Sequence, residues 1–186
     1  MAYRIVDVQT ACHPAQDTVA AALSTFGLSI SAISDAANAF VCQAAQVPGA
    51  GYQQFVAREL ERFLERSLSR DGSLRSLSRA VSPVLNEKAD LVIGHAPDEK
   101  GVYFEIEFRP NVEKDLVKFQ IAWNRGRLAV AVLILALDRN ALNASYTTMP
   151  EFGKVHRIVT ELRPPYPLIL VGIHGEHVTE SLAGGV

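Results

Sequence analysis

Apolar and polar side chains alternate strictly over residues 102–108, in the segment Val-Tyr-Phe-Glu-Ile-Glu-Phe. Such alternation is typical of a β-strand, because successive side chains point to opposite faces of a sheet. A second strand is predicted for residues 89–93, and residues 97–101 between the two contain the proline, aspartate and glycine that are typical of turns. The two strands are therefore predicted to form a β-hairpin.

The longest apolar run covers residues 128–137 and has no polar alternation, as expected of a strand that is covered on both faces. Asn111 can cap a helix between the hairpin and this run, and Gly126 can end that helix. Strand, helix and strand then form a right-handed crossover, with residues 128–137 as the central strand of the sheet. The apolar positions of the helix, which are expected to face one way, are Val112, Leu116, Val117, Phe119 and Trp123.

Shorter patterns predict the remaining elements of the chain. Asp17 can cap a first helix that runs towards Gly27, and residues 52–68 have the periodicity of an amphipathic helix. The other predicted elements are strands at residues 3–8 and 168–173 and helices at residues 35–43 and 152–162. Together these elements predict an α/β fold, in which a mixed central sheet is flanked by helices.

The length and composition of the chain narrow the class of protein. With 186 residues, the chain is expected to form a single domain over residues 1–186, with residues 181–186 as a disordered tail. Acidic residues number 20 and basic residues 18, so the net charge of −2 means that DNA contact would need a local basic patch. Two cysteines and the absence of a leader pattern predict a cytoplasmic protein, and no apolar run is long enough to cross a membrane.

Three acidic residues are notable for their predicted positions. Strand alternation places Glu105 and Glu107 on one face, and hairpin pairing can bring Asp90 within reach of Glu105. Like charges placed in this way repel each other, and a bridging divalent cation relieves that repulsion. Because carboxylate oxygens without Cys or His partners favour hard cations, the sequence predicts a Mg²⁺ site that could also accept Mn²⁺.

An alternative interpretation is that Glu105 and Glu107 belong to the solvated face of an antiparallel strand, and that Asp90 only caps the start of its own strand. The predicted topology argues against this alternative, since a strand that pairs with the buried run at residues 128–137 is internal to the sheet. An internal strand has fewer positions that face water. A solvated strand face is therefore the weaker explanation for the presence of Glu105 and Glu107 on this strand.

At this point the sequence resembles a known family. The chain contains Asp90, then a turn, then Phe-Glu-Ile-Glu-Phe at residues 104–108. This order is similar to the D…(D/E)-x-K core of type II restriction endonucleases. It resembles most the BamHI and BglII branch, in which a glutamate or glutamine replaces the lysine. The flanking segments that fit this branch in the same order are residues 3–8, 58–60, 130–135 and 167–173. The resemblance implies a restriction endonuclease-like fold and a Mg²⁺-dependent homodimer that hydrolyses the phosphodiester bonds of double-stranded DNA.

The resemblance also implies roles for individual residues. Asp90, Glu105 and Glu107 would be the catalytic residues. Asp90 and Glu105 would be metal ligands, with the Ile106 carbonyl as a third ligand. Glu107 would occupy the lysine position, where it could orient or deprotonate the attacking water. Glu59 is a further candidate for the site, and a buried or snorkelling helix carboxylate is the alternative explanation for it.

Basic residues in two segments are candidates for phosphate contacts, with a solvated surface as the alternative in each case. They are Lys114, Lys118, Arg125 and Arg127 on and after the predicted helix, and Arg70, Arg75 and Arg79 in the polar segment before the hairpin. Two further functions remain open. The absent lysine and the slightly acidic charge favour a catalytically inactive module of the same fold that binds nucleic acid or protein, and a metal hydrolase of small phosphoesters is the third option.

Overall fold

The computed structural model describes residues 2–44, 62, 75–76, 89–96, 99–107, 112–138 and 152–178. Several predictions fall outside these residues. They include nearly all of the helix at 52–68 with Glu59, the basic residues Arg70 and Arg79, and the tail at 181–186.

The described residues form four helices and six strands, which confirms the predicted α/β class. The strands lie in one mixed sheet in the order β1-β6-β5-β4-β3-β2, and the outermost strand, β2, is only two residues long. The strands are β1 Ala2–His13, β2 Arg75–Ser76, β3 Leu91–Gly94, β4 Gly101–Glu107, β5 Leu128–Asp138 and β6 Leu168–Val178. The helices are α1 Gln16–Ser24, α2 Ile30–Ala44, α3 Glu113–Asn124 and α4 Phe152–Leu162.

The predicted hairpin and the predicted crossover are both present. β3 and β4 pair antiparallel, with Leu91 opposite Phe104. β4 and β5 pair parallel, with Glu105 opposite Leu133, and α3 connects them. Gly126 ends α3 with a φ of 68°, a conformation that glycine adopts without steric cost. β5 lies between β4 and β6, so the apolar run is a central strand, as predicted.

The alternation in β4 divides its side chains between two hydrophobic layers. Val102, Phe104 and Ile106 pack in the layer that contains α1 and α2. Tyr103 packs in the other layer, which contains α3 and α4, and Glu105 and Glu107 follow it on the same face. Because helices cover both faces of the sheet, the two glutamates lie beneath a helical layer rather than on an open surface.

The structure corrects several predicted helix boundaries. α1 begins after Ala15, so Asp17 lies in its first turn, where its charge suits the helix dipole but its side chain does not cap the helix. α2 begins at Ile30, earlier than predicted, because the Ser29 hydroxyl accepts a hydrogen bond from the Ala32 N–H at 3.1 Å and caps the helix. The N-cap of α3 is Val112, which has no capping hydrogen bond, and not Asn111.

Helix α3 also departs from its predicted apolar face. Val117 is 58% exposed, whereas Leu116 and Phe119 are buried. The helical rotation of 100° per residue explains the difference, because it places residue 117 far from the direction shared by residues 112, 116 and 119. The first and last strands in the chain, β1 and β6, are longer than predicted, since they pair antiparallel over most of their lengths.

No helix in the described part of the chain is long and apolar enough to cross a lipid bilayer.

Candidate functional site

Asp90 lies at the entrance of the β3–β4 hairpin. Because Leu91 pairs with Phe104, Asp90 lies opposite Glu105. Its Oδ2 accepts a hydrogen bond from the Ile106 N–H at 2.8 Å, at the point where the backbone pairing of β3 with β4 ends. The N–H and C=O of one strand residue point to the same side of the strand. The Ile106 carbonyl is therefore directed to the side of β4 on which Asp90 lies.

Glu105 is one of the most deeply buried polar residues described, with only 2% of its surface exposed. The alternative of a solvated strand face is therefore wrong for this residue, because α3 covers β4 at this position. Its Oε2 accepts a hydrogen bond from Lys118 Nζ at 2.8 Å. Its Oε1 is buried and has no hydrogen-bond partner among the described residues.

Helix α3 adds two residues to the site that carry opposite charges. Asp115 is 4% exposed, and its Oδ1 lies 3.2 Å from Lys118 Nζ, one helical turn further along. Its Oδ2 has no donor among the described residues. The half-buried Glu107 lies beside Asp115. These two carboxyl groups can form a hydrogen bond with each other only when one of them is protonated.

Asp115 is not among the predicted site residues, although the sequence contains a signal for it. Residue 115 lies within about 60° of the apolar direction of α3, so a helical projection places this carboxylate at the edge of the buried face. Lys118 was expected to contact phosphate or to lie on a solvated face. The structure contradicts the solvated face, because the Lys118 side chain is 15% exposed and points to Glu105 and Asp115. Lys114 and Arg125 are exposed on α3 and after it, and Arg127 is half-buried.

Burial shifts the protonation equilibria of the acidic groups in one direction. It is the main reason that the pKa of Glu105 is raised to about 8, and the nearby Asp90 charge adds to the effect, while Lys118 opposes it. Burial also raises the pKa of Asp90, against the opposing effect of the Ile106 N–H. The pKa of Asp115 is raised by burial and lowered in part by Lys118. All three shifts have burial as their main cause.

The pKa of Lys118 is also raised, but for a lysine this shift favours the charged form. Burial by itself would lower the pKa of its ammonium group, but the hydrogen bonds and charges of Glu105 and Asp115 outweigh burial and raise that pKa. The ammonium group therefore stays charged at neutral pH. The Lys118 ammonium group faces Glu105 and Asp115 directly. The Asp90 charge contributes to the raised pKa of Glu105, and the Asp90 carboxylate accepts its hydrogen bond from the Ile106 N–H.

The structure places the predicted residues in two neighbouring groups. Asp90, Glu105 and Ile106 lie together at the hairpin entrance, and Glu107 lies beside Asp115. Within the described ranges, no three Asp, Glu, His or Cys side chains are arranged so that they could hold a metal ion. A divalent cation would therefore depend on the two carboxylates of Asp90 and Glu105 and on the Ile106 carbonyl. The buried, partnerless Glu105 Oε1 and the hard oxygen donors fit such a cation.

No known protein family matches the chain, and no curated protein is significantly similar to it.

Proposed function

We propose that the chain is a Mg²⁺-dependent endonuclease of the restriction endonuclease-like fold, which hydrolyses phosphodiester bonds in double-stranded DNA. The observation that carries the proposal is the pairing of the β3–β4 hairpin. It places Asp90 opposite Glu105, while a buried Glu105 oxygen has no hydrogen-bond partner in the part of the chain that the structure describes. Buried carboxylates that face each other are favoured when a divalent cation lies between them.

The residues that would hold the ion are Asp90, Glu105 and the carbonyl of Ile106. When bound, Mg²⁺ would polarise the scissile phosphate and lower the pKa of the attacking water. The protein contributes the alignment of its ligands. The hydrogen bond from the Ile106 N–H holds the Asp90 carboxylate at the hairpin entrance, and the layer formed by α3 keeps bulk water away from Glu105.

Glu107 is proposed to act on the attacking water. It follows Glu105 on the same face of β4 and is half-buried, so its carboxylate lies next to the ion site but closer to solvent. From there it can accept a proton from a water molecule or orient that molecule for attack. Asp115 beside it provides a second acidic group, whose pKa is raised by burial.

The topology supports the finer fold assignment. The elements around the site follow one another in the order that the resemblance implies. They are an antiparallel hairpin that carries the acidic residues, then a helix, then a central strand parallel to the second hairpin strand. We further propose that the protein acts as a homodimer. Each subunit would then cut one strand of a site with two-fold symmetry.

The proposal is tested by plasmid cleavage in the presence of Mg²⁺. The wild-type protein is expected to convert supercoiled plasmid to linear DNA, and D90N and E105Q are expected to lose at least about 100-fold in rate, since each removes a charged ligand. E113Q is the matched control, because Glu113 is exposed on α3 and its substitution makes the same chemical change outside the site. Unchanged cleavage by D90N or E105Q would refute the proposal.

A catalytically inactive binding module is the second candidate, and one observation favours it. Lys118 already neutralises part of the charge of Glu105 and Asp115, as a purely structural ion pair would. This candidate predicts that the protein binds DNA without a divalent ion and never cleaves it. Gel-shift measurements with EDTA and with Mg²⁺, next to the plasmid assay, separate the two functions.

A further inference from the structure

Lys118 occupies a position that a cation of higher charge could also use. Its Nζ lies 2.8 Å from Glu105 Oε2 and 3.2 Å from Asp115 Oδ1, so it bridges a strand carboxylate and a helix carboxylate. Its side chain is 15% exposed, which leaves a route towards solvent, whereas the two carboxylates are almost fully buried. The Lys118 side chain is thus the least enclosed of the three.

The Lys118 ammonium group contacts only one oxygen of each of the two buried carboxylates. Glu105 Oε1 and Asp115 Oδ2 remain buried without a hydrogen-bond donor among the described residues, although each belongs to a carboxylate that Lys118 contacts. A buried acceptor without a partner costs free energy. A divalent cation carries twice the charge of an ammonium group and accepts several oxygen ligands at once. Together with Asp90 and the Ile106 carbonyl, Glu105 would therefore bind such a cation more completely than it binds Lys118.

We propose that Lys118 is a resident counter-ion of the acidic site, and that a divalent cation displaces its ammonium group from Glu105. This inference rests on the metal site of the proposed function. The ammonium group and a metal ion that both neutralised Glu105 at short range would repel each other, and this repulsion favours departure of the ammonium group when the metal ion binds. The long, flexible stem of lysine allows the ammonium group to move outward while its backbone stays in α3.

The displaced ammonium group would then be available to an anionic ligand. It would lie beside the occupied site, where a phosphate oxygen of the substrate would be its natural partner. Lys118 would in this way change from a partner of the protein's carboxylates to a positioning residue for the phosphodiester. The exchange couples loading of the metal to binding of the nucleic-acid backbone.

A structural ion pair and a displaceable counter-ion predict opposite effects on metal affinity. If Lys118 only holds Glu105 in place, removing its charge disorders the ligand and weakens the binding of a metal ion. If Lys118 competes with the metal, removing its charge strengthens that binding. The two cases therefore differ in the direction of the change.

Calorimetric titration with Mn²⁺ measures this direction. K118M is expected to lower the Kd for Mn²⁺ at least tenfold, which corresponds to about 1.4 kcal/mol, while K118R keeps the charge and stays close to the wild type. K154M is the matched control, since it removes one exposed positive charge from α4, outside the site. An equal or weaker affinity of K118M for Mn²⁺, with the wild type binding normally, would overturn the exchange but leave the metal site intact.

A second measurement uses the wild-type protein and does not depend on the folding of a variant. Acetylation of lysine side chains, read by mass spectrometry, should modify Lys118 faster when Mn²⁺ is present, because the displaced ammonium group is more accessible. Lys154 should react at the same rate in both conditions. An unchanged rate at Lys118 at saturating Mn²⁺ contradicts the exchange. If neither the wild type nor K118M binds Mn²⁺, the proposed metal site fails and the exchange fails with it.

Discussion

The Asp90 carboxylate accepts a hydrogen bond from the Ile106 N–H at 2.8 Å and thereby extends the pairing of the β3–β4 hairpin by a side chain. One residue thus has two roles, since it closes the end of a strand ladder and presents a carboxylate to the proposed ion site. The two roles can be separated by substitution.

D90A and D90N should differ in stability but not in metal binding. D90A leaves the Ile106 N–H without its acceptor and is expected to lower the free energy of unfolding by about 1–3 kcal/mol. D90N keeps a side-chain oxygen that can accept this hydrogen bond, so its loss should be smaller, while both variants remove the charged ligand. Urea denaturation and Mn²⁺ titration measure the two effects, and equal stability of the two variants would argue against the structural role of this bond.

The stability of the metal-free protein should fall as pH rises, because the pKa of Glu105 is raised on folding from its ordinary value of 4.5 to about 8. The protonated form is favoured in the folded state, so its contribution is fully present below pH 4.5 and is lost as the pH approaches 8. The loss should amount to at least about 1 kcal/mol, since one pKa unit corresponds to about 1.4 kcal/mol.

Urea denaturation in EDTA at a series of pH values tests this dependence, with E105Q as the comparison. Glutamine does not titrate, so the variant should show a flatter profile between pH 4.5 and 8. The raised pKa values of Asp90 and Asp115 act in the same direction and remain in the variant. Parallel profiles for the two proteins would show that Glu105 does not titrate in this range.

Divalent cations should reverse the loss of stability at alkaline pH. A ligand that binds only the folded state stabilises it, by about 2.7 kcal/mol at 100 times its Kd. The melting temperature of the wild type should therefore rise with Mn²⁺ at pH 8, where the carboxylates are more fully ionised, and rise less at pH 6. E105Q should show little shift at either pH, and a shift as large as that of the wild type would contradict the assignment of Glu105 as a ligand.

Gly101 should be needed for the alignment of the hairpin. A Cβ atom at this position would lie 2.9 Å from the Ile93 carbonyl oxygen and 3.0 Å from Val92 Cγ1, so G101A must displace β3 from β4. We expect a loss of about 1–3 kcal/mol in the free energy of unfolding and weaker Mn²⁺ binding, because Asp90 precedes the displaced strand. G153A in α4 is the control, since a Cβ there meets nothing within 4 Å; equal stability of the two variants would contradict this packing.

The local patterns of the sequence predicted most of the secondary structure. Alternation over residues 102–107 predicted β4 and its two faces, and the apolar run predicted the central strand β5. The turn residues before Gly101 predicted the hairpin that brings Asp90 to Glu105. These features depend on residues that are close together in the chain, so a period of two or of 3.6 residues is sufficient to predict them. The cap of α2 at Ser29 escaped prediction, because several serines nearby could serve equally well.

The tertiary structure decided how the acidic residues are neutralised. Glu105 and Lys118 are 13 residues apart and belong to different periodic patterns, so no local pattern relates their side chains. They meet because α3 packs across β4 and turns its Asp115 and Lys118 towards the strand. The sequence by itself determined which residues are acidic and which strand faces they occupy. The packing of a helix on the sheet determined that Glu105 is buried, that its pKa is raised, and that a lysine is its partner.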